Sequence, residues 1–174
     1  MVETDIGLHG SENGIFVTEK KPLANENVAL LFGSNYRELI EKKAEQLGIK
    51  EKLYFFDKPK PHEGSQAVYL VEQFIGDHLV LVPALEPGME TSRHHHASPM
   101  LKEMYFHIAG KSTVDIGEGE KLKSYNLNEQ NGLVEVSLDT VHQVKTSEAP
   151  SLTLIVMQNA RLVPPGQLHI RHIK

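Results

Sequence analysis

Ten histidines stand in this chain of 174 residues, and three of them are adjacent: His94, His95 and His96. Side chains of a β-strand alternate faces, so His94 and His96 project the same way, about 7 Å apart along the chain. Two imidazoles at that spacing can converge on one ion. His95 points to the opposite face and is not counted as a ligand. Glu103 opens the next apolar run. If Thr91–Ala97 and Lys102–Ile108 pair as a hairpin, its carboxylate closes on the same ion. His142, on a later run, can supply a third imidazole. Imidazole and carboxylate are ligands taken by divalent Fe, Mn, Ni, Co and Zn. The expectation is therefore a divalent transition metal (Fe, Mn, Zn, Ni or Co) held by His94, His96, Glu103 and His142.

Tyr105 and His107 share parity with Glu103 and are the candidate catalytic residues, either supporting the ligands from behind or acting as an acid–base pair. Arg93 alternates with His94 and can reach an anionic substrate or solvent. Other chemistry has little support. Asp139, three residues before His142, resembles part of a triad only superficially. No serine lies in a nucleophile-elbow context. Gly117-Glu118-Gly119 reads as a hairpin turn, because no Lys-Ser/Thr follows it. His9, His62, His78, His169 and His172 have no partners at ligand spacing and read as surface or satisfied side chains.

The composition narrows the classes further. There is no cysteine, which excludes disulfides, thiolate zinc sites and cysteine nucleophiles. The formal net charge is −5, which opposes binding to a phosphate backbone. The first residues lack a basic and an apolar region, and apolar runs such as Leu79–Leu85 are too short to span a bilayer. A cytoplasmic protein that binds neither nucleic acid nor membrane is expected.

The elements that must position these residues are mostly short strands. After Lys60 the runs Ala67–Phe74, Leu79–Leu85, Thr91–Ala97, Lys102–Ile108, Ser112–Ile116, Lys121–Leu127, Leu133–Ser137, Val141–Lys145 and Ser151–Gln158 are separated by turn residues, among them the hairpin signal Asn131-Gly132. That spacing predicts an all-β sandwich or barrel. Before it, residues 1–60 form an extension with a strand candidate at Ile15–Thr18, a break at Asn25-Glu26-Asn27 and one helix over about 35–47. Ser34 or Asn35 can cap that helix with Glu38 as partner, and Gly48 stops it. Residues 61–174 form the barrel domain, whose tail, Gln167–Ile173, reads as an edge strand or one exchanged with a second subunit.

Two blocks resemble the motifs of the cupin superfamily. Gly88 is followed by five residues, then His94-x-His96, and Glu103 is followed by six residues and Gly110. The family usually has three or four residues between the second histidine and the glutamate, where this chain has six, Ala97–Lys102 with Pro99. The second block, Gly132 to His142, is one residue short. Ser137 and Asp139 replace the usual proline and glycine, and Thr146 stands at the place of the asparagine. The resemblance implies a jelly-roll β-barrel with the metal near one end, commonly paired as a homodimer. Thr91–Gly110 and Ser151–Gln158 also look similar to the barrel of sugar-phosphate isomerase cupins, with Arg93, Lys102 and Lys145 as the candidate phosphate partners. The expected function is a metal-dependent enzyme acting on a small polar metabolite, such as a carbohydrate derivative, by isomerisation or epimerisation. An Fe(II) dioxygenase and a non-catalytic metal or small-ligand binding module are the alternatives.

Overall fold

The computed structural model describes residues 25–61, 65–96, 101–137, 140–163 and 170–172. Two helices, α1 (Asn25–Phe32) and α2 (Tyr36–Gln46), precede eleven strands. These are β1 (Phe55–Pro61), β2 (Val68–Ile75), β3 (His78–Leu85), β4 (His94–His96), β5 (Lys102–Gly110) and β6 (Ser112–Ile116), then β7 (Lys123–Leu127), β8 (Leu133–Val136), β9 (His142–Lys145), β10 (Ser151–Gln158) and β11 (Ile170–His172). They form a six-stranded sheet, β1-β2-β3-β10-β5-β8, and a five-stranded sheet, β11-β4-β9-β6-β7. All pairings are antiparallel, and the chain passes repeatedly from one sheet to the other. This is the expected jelly-roll, with the helices before it.

The six-stranded sheet is covered on both faces. On β10, Leu152, Leu154 and Val156 join the helix residues Val28, Tyr36, Ile40 and Ala44 in one core. Ile155, on the other face, joins Leu85, Tyr105, Val114, Leu127 and Val144 inside the barrel. Double coverage explains why Ser151–Met157 is buried at every position. Completely buried anchors such as Ile40 each stabilise this layer by about 1.5–3 kcal/mol.

Several local readings change. Asn25-Glu26-Asn27 opens α1 rather than breaking the chain. The α2 helix lies where expected, but Asn35 makes no side-chain cap, so the predicted capping box with Glu38 is not formed. The boundary at residue 60 falls inside β1, an edge strand paired to β2. The turn before β8 joins strands of different sheets, so Asn131-Gly132 does not close a hairpin. The expected edge strand near the C-terminus is present as β11, beside β4. Ile15–Thr18, Pro99, Asp139, His9, His62 and His169 lie outside the described residues. Among the described residues no helix is long and apolar enough to cross a membrane.

Candidate metal centre

The hairpin expected between the first two ligand runs does not exist. β4 pairs with β9 and β11, whereas β5 lies in the other sheet between β10 and β8. Glu103 nevertheless reaches the histidines, because it projects inward from the facing sheet. Residues 103, 105 and 107 of β5 are buried in strict alternation, as period two requires. On the five-stranded sheet, His94 and His142 stand directly opposite one another in register, with ring centroids 4.3 Å apart. His96 completes the set from the same face as His94, and His95 is not part of it.

One ligand atom from each of His94, His96, Glu103 and His142 lies within 4.8 Å of all the others, and all four residues are buried. Opposite ligands on an ion with bonds of roughly 2.1 Å are about 4.2 Å apart, so small adjustments close the set. Imidazole orientation fits as well. His94 Nδ1 lies 2.9 Å from the Ser92 carbonyl and His142 Nδ1 lies 2.8 Å from the Thr140 carbonyl. Each bond assigns the proton to Nδ1 and leaves the Nε2 lone pair for an ion. The Nε2 atoms of His96 and His142 sit 3.0 and 2.7 Å from Glu103 Oε2. Yet among the described residues neither makes a well-directed hydrogen bond. Buried polar atoms that crowd one point without satisfying each other suit a shared cation.

The electrostatics agree. Burial by itself would raise the Glu103 carboxyl, but the charges of His142 and His96 and their contacts hold it well below the ordinary carboxylate range. Burial works to lower His142, and the Glu103 carboxylate outweighs it and raises that imidazole. His94 is pushed down to about 4, first by burial and then by the charge of His142. Tyr105 donates to Glu103 Oε2 across 3.1 Å, and burial together with the Glu103 charge raises its phenol well above the ordinary value. Tyr105 is thus placed directly behind a ligand.

His107 is not. Its parity is as expected, but it lies four residues, about 13 Å, along the strand from Glu103. Its Nε2 is 2.9 Å from the Gly110 carbonyl. The expected acid–base pair with Tyr105 is therefore not formed, because the strand carries His107 toward the far end of the barrel. Thr146, at the second motif's asparagine position, has a structural role. Its hydroxyl donates to the Glu86 carbonyl and accepts from the Met89 N–H at 3.0 Å, tying the end of β9 to the turn before His94.

A cavity of about 280 Å³ adjoins the cluster, with His94, Glu103 and Tyr105 in its lining. Its walls include Phe74, Leu79, Leu81, Ile155 and Met157, and its polar lining includes Tyr69 and Glu72. Sequence alternation misses the last two, since residues three apart cannot share a face of a regular strand. A bulge between Tyr69 and Val71 shifts the register and brings both to the cavity lining, Glu72 at its exposed rim. Burial and the charges of Glu103 and Glu72 raise the Tyr69 phenol. No lysine or arginine is in the lining among the described residues. The candidate phosphate partners are committed elsewhere: Arg93 to the Gly117 carbonyl and Glu118, Lys102 to Glu135, and Lys145 to Asp115. Gln158 lies in a different pocket, against Met104 and Phe106.

No family model matches the sequence, and no curated protein matches it. Solved structures do. CapF in complex with the inhibitor 3-isopropenyl-tropolone superimposes with a TM-score of 0.53 at 12% identity, over 72% of this chain and 35% of that one. The capsular polysaccharide assembling protein CapF from Staphylococcus aureus, in another crystal form, gives 0.52 at 11% identity, over 84% of this chain and 47% of that one. A protein with a double-stranded β-helix domain from Klebsiella pneumoniae gives 0.48 at 21% identity, over 66% of this chain and 89% of that one. The chain thus spans between a third and a half of the CapF chains. The likeness to the CapF structures is one of fold: two antiparallel sheets joined in jelly-roll order.

Proposed function

We propose that this protein is a metal-dependent enzyme that holds one divalent transition ion with His94, His96, Glu103 and His142 and converts a small metabolite in the adjoining cavity. The observation that carries the reading is the convergence of four buried ligand atoms, from two sheets, on the lining of a space large enough for a substrate. A bound ion supplies Lewis-acid polarisation of a substrate oxygen there. The chain's own residues do the rest. The raised phenol of Tyr105 stays protonated near neutral pH and holds its proton on Glu103 Oε2, so it orients the ligand and does not act as a base. Glu72, at the rim and paired with Lys60, is the other carboxylate in the cavity lining among the described residues, and its carboxylate is the group able to take a proton from a substrate carbon. Leu79, Leu81, Ile155 and Met157 exclude water from the reacting atoms.

Isomerisation or epimerisation by proton transfer follows from this set. The dioxygenase alternative rests on the ligand types alone. The apolar walls favour a second reading, a binding module without turnover.

The test starts with metal analysis of protein carrying no histidine tag, with about one ion per chain expected. A panel of hydroxy-carbonyl compounds is then incubated in D2O, with mass spectrometry and an oxygen electrode as readouts. The expected result is metal-dependent deuterium incorporation beside the carbonyl, without oxygen uptake, that is lost in Glu72→Gln. Substrate-dependent oxygen uptake would establish the dioxygenase instead. Metal without exchange or oxygen uptake would establish the binding module.

A further inference from the structure

Most of the cavity surface is apolar, although Ser65, Tyr69, Thr91 and Ser92 also line it. Phe74, Leu79, Leu81, Ile155 and Met157 come from three adjacent strands of one sheet, β2, β3 and β10. They present a continuous apolar surface toward the His94–Glu103 end. A hydroxyl or phosphate placed against that surface would lose its water and gain no partner. The lining carries two carboxylates, Glu72 and Glu103, and no cation among the described residues. Of the cations near the rim, Lys60 is paired with Glu72 and the Arg161 guanidinium lies over the Phe74 ring, 5.0 Å from its centroid. About 280 Å³ is at the small end of ligand pockets.

From these features we infer that the substrate has a compact, uncharged, apolar body and a short oxygen-bearing head that reaches the four-ligand cluster, and that phosphorylated and polyhydroxylated metabolites are discriminated against. This rests on the proposed metal site and adds the substrate class to it. Discrimination comes from two sources. Each buried methylene strengthens binding about fourfold. Each polar group set against the apolar part of the wall is left without a hydrogen bond.

The experiment separates body from head by keeping the head constant. The full chain is loaded with Zn(II) and titrated calorimetrically with pyruvate, 4-methyl-2-oxopentanoate, 2-oxoglutarate and 3-phosphohydroxypyruvate, which share one 2-oxo-carboxylate head. The expected result is binding of 4-methyl-2-oxopentanoate tens of times tighter than pyruvate, about fiftyfold for three added carbons. The two acids with a second anionic group should bind no tighter than pyruvate. Phe74→Ala, at a half-exposed rim position that tolerates truncation, and Leu81→Asn should both shrink the preference for the branched acid while zinc stays at one per chain. A flat series in a stoichiometric zinc complex would overturn this inference alone. So would tighter binding of either acid with a second anionic group than of the branched one, and Arg161→Ala would then show whether that guanidinium is the partner. If the chain takes up no zinc, the metal site falls and the inference falls with it.

Discussion

Replacing Tyr105 by phenylalanine tests whether the group behind Glu103 governs the metal site. The substitution removes one oxygen and keeps the ring, which is 2% exposed and packed inside the barrel. What is lost is the 3.1 Å bond to Glu103 Oε2. A hydrogen bond to a charged, buried acceptor contributes about 1.5–3 kcal/mol. At roughly 1.4 kcal/mol per decade that is about 10- to 150-fold in affinity. Loss of a group that orients a metal ligand typically costs about 10- to 100-fold, so two separate routes give the same range. Tyr105→Phe should therefore weaken Zn(II) and Co(II) binding by about one to two orders of magnitude, measured by competition with a chromophoric chelator near pH 7.5. His107→Gln is the control and should leave affinity unchanged, since His107 bonds to Gly110 and not to the cluster. Affinity within twofold of wild type in Tyr105→Phe, with metal lost in His142→Ala, would show that Tyr105 does not hold Glu103.

Further expectations concern the ligands, pH and one turn. His94→Ala and His142→Ala should each abolish stoichiometric metal in tag-free protein, and unchanged metal content in both would place the ion elsewhere. Imidazoles bind only when neutral, and His142 is raised by Glu103, so proton competition should begin above pH 6.5; affinity that stays flat down to pH 5 would contradict imidazole ligation. The metal-free protein should be most stable near pH 6.5 in urea titrations. Stability from the raised His142 is present below that pH and lost as pH rises through its folded value, whereas His94, lowered to about 4, withdraws about 3 kcal/mol as pH falls from 6.5 to 4. Gly110→Ala should lower unfolding free energy by more than about 1–2 kcal/mol, the left-handed backbone cost alone. Gly110 has φ +77°, and an added Cβ would fall on the Pro150 carbonyl.

Much of the site was legible because period two is so strict. Parity pairs His94 with His96, whereas Glu103 was reached through a hairpin that is not formed and joins them from the facing sheet instead. Ser112–Ile116 and Ser151–Gln158 have the bounds read from sequence, since each is an apolar run closed by turn residues. What was missed depends on tertiary context. Pro59 and Pro61 hid β1, which tolerates them at a sheet edge. The polar start of α1 concealed a helix that buries Val28 completely. Tyr69 and Glu72 were invisible because a bulge leaves no mark in a hydrophobic pattern. Which strands face each other is a property of the jelly-roll crossing, not of spacing, and so the cavity beside the cluster could not be read from the chain.

β4 is three residues long, yet it carries two of the four candidate ligands. Among the described residues it is aligned with β9 at one pair, preceded by the Thr91–Val144 hydrogen bonds and the Glu90–Lys145 bridge, and with the outermost strand, β11, at three. A ladder that short, next to the sheet edge, is expected to open by local fluctuation before the six-stranded sheet does. For the proposed ion, thermodynamic hold and the speed of exchange would thereby be separated. Four buried side chains would set how tightly the ion is kept, and the lifetime of one short strand how fast it comes and goes. A chelator would then strip the ion at the rate of strand opening, long before the barrel unfolds, and a newly supplied ion would be taken up by the same route.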